Sequence, residues 1–373
     1  MAKRKSSTRP KSTSSRTLTP AEIAKRTARL DRELVSLVNQ RARLCEKAAK
    51  LRRDNGEPVF EPNEESAVIE QTLAANKGPL SAEAVRAVMR ETISGCRALV
   101  HPLRVAYLGP QYSYSHLAAT QRFGECVTLA PVATIAAVFE EVNRRQADFG
   151  LVPIENSTDG RVVDTLDMFA RLPVQICGEV RLRIHHYLLG KCSRDQVREV
   201  YSKPQALSQC RDWIAKHLPG VRTVEMTSTA AAAQLAVDRQ GAAAVASLQA
   251  GVNYGLDVIA ANIEDNRNNI TRFVVIGHRP AERAGDDKTS LMFEIPHAPG
   301  ALADVMAIFK RNKLNLTWIE SFPITGTTSE YRFFVELEGH PKDLKIRRAL
   351  ASLEKKTVRL DILGAYVKTE VIE

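Results

Sequence analysis

Five apolar stretches of this chain end in hydroxyl side chains at the point where a helical pattern begins. Arg104–Leu108 leads to Ser113 and Ser115, and Phe149–Ile154 leads to Glu155, Asn156 and Ser157. Val200 and Tyr201 lead to Ser202, Thr223–Met226 to Ser228 and Thr229, and Ala242–Ala246 to Ser247. A strand that feeds a helix presents free backbone N–H groups and the positive end of the helix dipole, which favours an anion. Ligands of open α/β sheets lie at that same edge. The chemistry implied is capture of a small carboxylate or phosphate. Ser and Thr are also the preferred helix N-caps, so capping accounts for any one of the five; their convergence is the stronger signal.

Other chemistries find less support. No G-x-G-x-x-G opens a helix and no G-x-x-x-x-G-K-[ST] occurs, so no nucleotide cofactor is expected. Cys45, Cys96, Cys126, Cys177, Cys192 and Cys210 form no C-x-x-C and have no histidine at zinc-ligand spacing, so reduced structural cysteines and no metal are expected. His116 stands beside a helix start, as a capping or core residue does. His185 and His186, adjacent in an extended segment, point to opposite faces and cannot form one chelate. Thr271, read alone, is a β-branched residue opening the strand Phe273–Ile276.

Several elements must position these residues. From Leu18 to Val100 the pattern is helical: Leu30, Leu34, Leu37, Leu44 and Leu51 form one face of a long helix, with Arg41 inside the stripe. Further helices run from Asn63 to Asn76 and from Ser81 to Val100. The long stripe exceeds what two short helices can cover, so a homodimer, or a homotetramer built on it, is expected. From 103 to 279 short strands alternate with helices, the pattern of an α/β domain with mainly parallel sheets around a cleft, as in a periplasmic binding protein. From 287 to 371 the order is strand Lys288–Ile295, helix Ala301–Arg311, strand Leu314–Ile319, a turn around Gly326, strand Glu330–Leu337, helix Pro341–Lys355 and strand Val358–Tyr366. That is a βαββαβ, ferredoxin-like α+β unit. The fold class is therefore multidomain.

The net charge is +10, but Lys3, Arg4, Lys5, Arg9, Lys11 and Arg16 supply +6 of it from a tail without acidic residues, leaving +4 for the rest. Residues 1–17 read as a disordered basic tail. The remainder has no basic stripe that would imply nucleic acid, and no run reaches the roughly 18 apolar residues of a membrane span. A cytoplasmic protein is expected.

Four ordered motifs are specific enough to name a family. Gly109-Pro110-Gln111 with Ser113-Tyr114-Ser115-His116-Leu117-Ala118-Ala119, Val152-Pro153-Ile154-Glu155-Asn156-Ser157, the block Tyr201–Cys210, and Asn269-Ile270-Thr271-Arg272-Phe273 resemble prephenate dehydratase. The resemblance implies loss of CO2 and hydroxide from prephenate to give phenylpyruvate in phenylalanine biosynthesis, driven by aromatisation and needing no cofactor. It implies Thr271 as acid or hydrogen-bond donor to the departing hydroxyl, Arg272 as partner of a carboxylate, Asn156 and Ser157 as neutral donors, and Glu155 as the group that orients them or holds a proton. Ser113, Ser115, Ser202, Ser228 and Thr229, with Gln205 and Phe273 from the motifs, form the expected substrate-binding set. Tyr112 departs from the usual Gly and Lys203 from the usual His. Arogenate is an alternative substrate, and a non-enzymatic amino-acid or anion sensor is the competing class.

The segment 18–100 resembles the chorismate mutase fused to many such enzymes, which implies a site at Arg41, Arg52 and Glu65 and chorismate as a second substrate. Ala24, Glu64 and Val100 replace two cations and a site acid of that family, so mutase activity is expected to be absent or weak. The C-terminal unit resembles the ACT domain. It implies L-phenylalanine as effector, held by Gly300, Ala301, Leu302, Glu320 and Ser321, with Phe322 where Arg is usual.

Overall fold

The computed structural model describes residues 18–60, 62–324 and 331–372. The tail expected at 1–17 and the turn expected around Gly326 lie outside the described residues.

Helix α1 (Pro20–Asp54) starts at a capping box: the Thr19 side chain accepts from Glu22 N–H, and the Glu22 carboxylate accepts from Thr19 N–H at 2.9 Å. It stands as a unit by itself, ending at Gly56, where φ is +71°. Leu30, Leu34, Leu37, Leu44 and Leu51 are each more than half exposed on it. Everything from Glu57 onward forms a second compact unit.

That unit opens with α2 (Pro62–Ala75) and α3 (Ala82–Val100), the latter capped by Ser81. Next come β1 (Arg104–Leu108) and α4 (Tyr114–Phe123). The residues after α4 dock on α3: Cys126 N–H donates to Ser94 Oγ at 3.2 Å, and Glu125 N–H donates to Glu91 at 2.9 Å. A Cβ at Gly124, where φ is +76°, would overlap Ser94. The second and third helices are thus built into the domain that follows them.

The first lobe continues with β2 (Thr128–Val132), α5 (Ile135–Asn143), β3 (Phe149–Asn156), β4 (Gly160–Arg161), α6 (Val163–Arg171) and β5 (Gln175–Arg183). The second lobe holds β6 (Tyr187–Gly190), β7 (Glu199–Ser202), α7 (Pro204–Gln209), α8 (Arg211–His217), β8 (Arg222–Glu225), α9 (Thr229–Ala236), β9 (Ala242–Ala246), α10 (Leu248–Tyr254) and β10 (Asp257–Ala260). The chain then returns to the first lobe as β11 (Ile270–Gly277). Both sheets are mixed rather than mainly parallel: β11 enters antiparallel to β3 and β5, and β6 antiparallel to β9 and β10. The reason is topological, since each passage between lobes returns a strand in the opposite sense.

The C-terminal unit is β12 (Asp287–Glu294), α11 (Ala301–Arg311), β13 (Leu316–Pro323), β14 (Tyr331–Glu338), α12 (Leu344–Leu353) and β15 (Arg359–Val367), followed by β16 (Val371–Ile372). Its strands lie in the order β13-β14-β12-β15 and continue into the first lobe through β5. β15 meets β5 at the register pair Gly364 with Ile176, where a Cβ at residue 364 would overlap the Ile176 carbonyl, and β16 adds Val371 with Arg181 and Ile372 with Leu182. Val152, Ile154, Val274 and Ile276 of the lobe share one core with Met292, Phe334 and Tyr366 of the C-terminal unit.

Candidate active site

The last residue of β3 and the second of β11 are register partners, and this pairing brings Asn156 against Thr271. Asn156 Oδ1 accepts two backbone N–H groups, Thr158 at 2.9 Å and Asp159 at 3.1 Å. These two donors fix the amide orientation, because a flipped amide would set its NH2 against them. Asn156 Nδ2 therefore donates to Thr271 Oγ at 2.8 Å and to Asn269 Oδ1 at 3.0 Å. The Thr271 oxygen is an acceptor in this bond, and its own hydrogen is left for another partner.

The polarity set at Asn156 carries across the cleft. Asn269 Nδ2 donates to Gln209 Oε1 at 2.9 Å, and Gln209 Nε2 donates to Asp159 at 2.7 Å, where Gln205 Nε2 also arrives at 2.5 Å. Gln209 Oε1 only accepts, so His186, 2.9 Å away, holds its hydrogen on Nε2, and its Nδ1 faces the Tyr114 hydroxyl at 3.0 Å. Burial pushes the His186 pKa down, which keeps this neutral form. The Tyr114 hydroxyl also lies 2.7 Å from the His185 carbonyl. His185 and His186 stand in the first crossing between lobes rather than in a strand. Glu264, from the second crossing, ties them together through His185 Nδ1 at 2.8 Å and His186 N–H at 2.9 Å.

Some expected residues lie elsewhere. Arg272 and Glu155 are on the face of the sheet opposite Thr271 and Asn156; the Arg272 guanidinium is buried against Glu336 at 2.7 Å, with Glu155 at 3.5 Å. Neighbouring strand residues alternate faces, so Arg272 cannot reach a substrate lying on Thr271. Phe273 is 2% exposed and packs in the core of the lobe, and Ser202 is fully buried, donating to the Val245 carbonyl at 2.6 Å. Ser157 donates to the Asn268 carbonyl at 3.1 Å and accepts from Ile270 N–H at 2.9 Å, so its hydroxyl closes the loop around the Asn156–Thr271 pair.

Ser113, Ser228 and Ser247 are N-caps, accepting from His116, Ala231 and Ala250 N–H, while Ser115 and Thr229 are buried in the first turns of α4 and α9. Each cap takes one N–H and leaves others of its first turn available. The starts of α4 and α10 meet, as Ser247 Oγ donates to the Tyr112 carbonyl at 3.4 Å. Tyr112 keeps φ at +65°, the left-handed conformation that favours glycine, and its ring packs edge-on against His116 and against Tyr254 of the other lobe. Asn269, Gln209 and Asp159 escape the sequence reading, although Asn269 and Gln209 stand inside quoted motifs, and His186 is set aside there as half of an impossible chelate. Amide side chains follow no periodicity.

Of the mutase-like set, Arg41 and Arg52 lie on α1. Glu65 lies on α2, where the buried Arg97 guanidinium of α3 meets its carboxylate at 2.6 Å and sits over the Phe60 ring at 5.1 Å. In the C-terminal unit Gly300, Ala301 and Leu302 border a cavity of about 320 Å³ with His297, Tyr331 and Phe333. Glu320 and Ser321 do not line it: the Glu320 carboxylate meets Arg161 of β4 at 2.8 Å, and Arg161 also covers the Phe322 ring at 4.8 Å.

The sequence profile of the prephenate dehydratase family matches residues 105–281, and that of chorismate mutase type II matches residues 23–101. A bifunctional chorismate mutase/prephenate dehydratase of Aquifex aeolicus is 40% identical over 352 residues, covering 93% of this chain and 97% of the relative. Among solved structures, a prephenate dehydratase of Arthrobacter aurescens in complex with L-Phe is 31% identical, with a TM-score of 0.67, over 71% of this chain and 90% of the other. A quorum-quenching acylase has the same identity and a TM-score of 0.65, over 71% and 98%.

Proposed function

The chain belongs to the prephenate dehydratase family, in its bifunctional form with a chorismate mutase type II domain, and from that premise we propose that the Asn156–Thr271 pair serves the leaving group of the reaction. The reaction is the decarboxylating dehydration of prephenate to phenylpyruvate. The bond to the ring carboxylate breaks with release of CO2, its electron pair enters the ring, and hydroxide leaves and becomes water by taking a proton that solvent replaces. Hydroxide is a poor leaving group, so the site must place a donor on that oxygen. The observation that carries the reading is the direction of the Asn156 to Thr271 hydrogen bond. It draws density from the threonine oxygen and leaves its O–H to point at the departing hydroxyl.

The substrate carboxylates are taken by free N–H groups at the starts of α4 and α10, rather than by Arg272. The likeness to an acylase does not alter this reading, because the Ser157 hydroxyl is spent on Asn268 and Ile270 and is not primed as a nucleophile. Conversion of prephenate by the purified full-length protein, followed as phenylpyruvate, tests it; no turnover would exclude it.

The C-terminal unit, with its βαββαβ order, is an ACT-type regulatory domain that takes L-phenylalanine at the Gly300–Leu302 loop. The αL conformation of Gly300, with φ at +81°, opens α11; Ala301 N–H donates to the Ala298 carbonyl at 3.2 Å, and the Leu302 and Ala303 N–H groups are left to the effector carboxylate. The two chains of a homodimer meet along α1, whose leucine stripe is exposed. The match of residues 23–101 to chorismate mutase type II supports a mutase domain there, and we infer that its activity is weak because Ala24, Glu64 and Val100 stand where that family has two cations and a site acid.

A further inference from the structure

Asn156 and Thr271 have a second pair directly behind them. Glu155 and Arg272 are also register partners, one residue along, and face the C-terminal unit. There Arg272 lies over the Trp318 ring at 5.3 Å and donates to Glu336 at 2.7 Å, with Glu179 at 3.9 Å. Glu336 is held in turn by the Tyr366 hydroxyl at 2.8 Å, the Thr317 hydroxyl at 2.8 Å and Lys288 Nζ at 3.2 Å. Lys288 also meets Glu179 at 3.1 Å, so two buried cations balance two buried carboxylates across the boundary.

The strand needs such an anchor. The register of β11 with β3 shifts between Arg272 and Phe273, which interrupts the ladder next to Thr271. A buried ion pair adds little net stability over apolar side chains of the same volume, so what it contributes here is geometry. Burial would lower the Arg272 pKa, but the facing carboxylates of Glu336, Glu179 and Glu155 raise it above its ordinary value and keep the guanidinium charged.

We propose that Arg272 is a positioning residue, through which Glu336 of the C-terminal unit holds the end of β11 from behind and so keeps the Thr271 hydroxyl against Asn156. This rests on the reading of Thr271 as the donor to the leaving hydroxyl. Arg272 touches no substrate.

The test uses the full-length chain and prephenate, with four variants: Arg272→Met, Glu336→Gln, the two combined, and Thr271→Ala. Arg272→Met should lower kcat at least about tenfold with KM within about threefold, and lower the melting temperature. The double variant leaves Lys288 and Glu179 paired, so its melting temperature should recover while kcat stays low. Glu336→Gln, nearly isosteric, should lower kcat about threefold or more at unchanged KM. Recovery of kcat along with stability in the double variant would make the cluster merely structural and overturn the proposal. So would wild-type turnover in Glu336→Gln, or a raised KM at normal kcat in Arg272→Met. Full turnover by Thr271→Ala would instead remove the donor reading, and this proposal with it.

Discussion

Asn156 donates to Thr271 Oγ at 2.8 Å, and two backbone N–H groups on the other side of the asparagine amide fix that direction. The pair is a threonine whose proton is free and whose oxygen is already engaged.

Reversing the bond should therefore disable the site, with some loss of stability because an aspartate would also face Asn269 Oδ1. In Asn156→Asp the carboxylate accepts from Thr271 and turns the hydroxyl proton away from the cleft. Turnover of prephenate should fall by about 10²-fold or more, within the range for a positioned donor. A kcat within about threefold of wild type would mean that the direction of this bond is irrelevant.

The neutral His186 predicts a pH dependence of stability. Its folded pKa is depressed by burial, so the unfolded chain binds more protons as pH falls below the ordinary value near 6.5. The stability that His186 contributes is present above that value and lost on acidification toward the folded pKa. Melting temperatures between pH 7.5 and 5 should decline for wild type and decline less for His186→Gln. His116, whose pKa burial also lowers, supplies a remaining slope. Identical slopes would remove His186 from the account.

How far the residues announce this arrangement differs from element to element. The motifs around Asn156 and Thr271 are legible because each is a contiguous run, and α3 is legible because Ser81 caps it and its apolar face repeats. The orientation of Arg272 follows from strand alternation alone, yet a carboxylate-binding arginine beside a catalytic threonine is chemically persuasive enough to hide it. Gln209, Asn269 and Asp159 meet only because two lobes close on each other. No local pattern encodes a contact between residues 159 and 209. The docking of α3 on the segment after α4 depends on the small volume at Gly124, which has no sequence signature of its own.

Arg161 links the segment Glu320–Phe322 to β4, whose partner strand carries Asn156. Arg161→Gln removes a partly exposed pair worth about 1 kcal/mol, so stability should fall only slightly. Calorimetric titration should still find L-phenylalanine bound, while the concentration needed for half-inhibition rises several-fold. Unaltered inhibition would break this link.

The exposed stripe on α1 predicts self-association. Sedimentation of the full-length protein at micromolar concentration should find a dimer or larger, and removal of residues 1–56 should loosen it. An apolar patch of that length is not normally left open to water. A full-length monomer would contradict the dimer. With chorismate as substrate the same preparation should give little or no prephenate, and robust conversion would overturn the reading of Ala24, Glu64 and Val100.

The most direct test is the steady-state turnover of prephenate by Thr271→Ala beside wild type, followed as phenylpyruvate. Loss of the donor hydroxyl should lower kcat by about 10²–10⁴ while KM moves by no more than about threefold. An unchanged kcat would contradict the assignment of Thr271 to the leaving group.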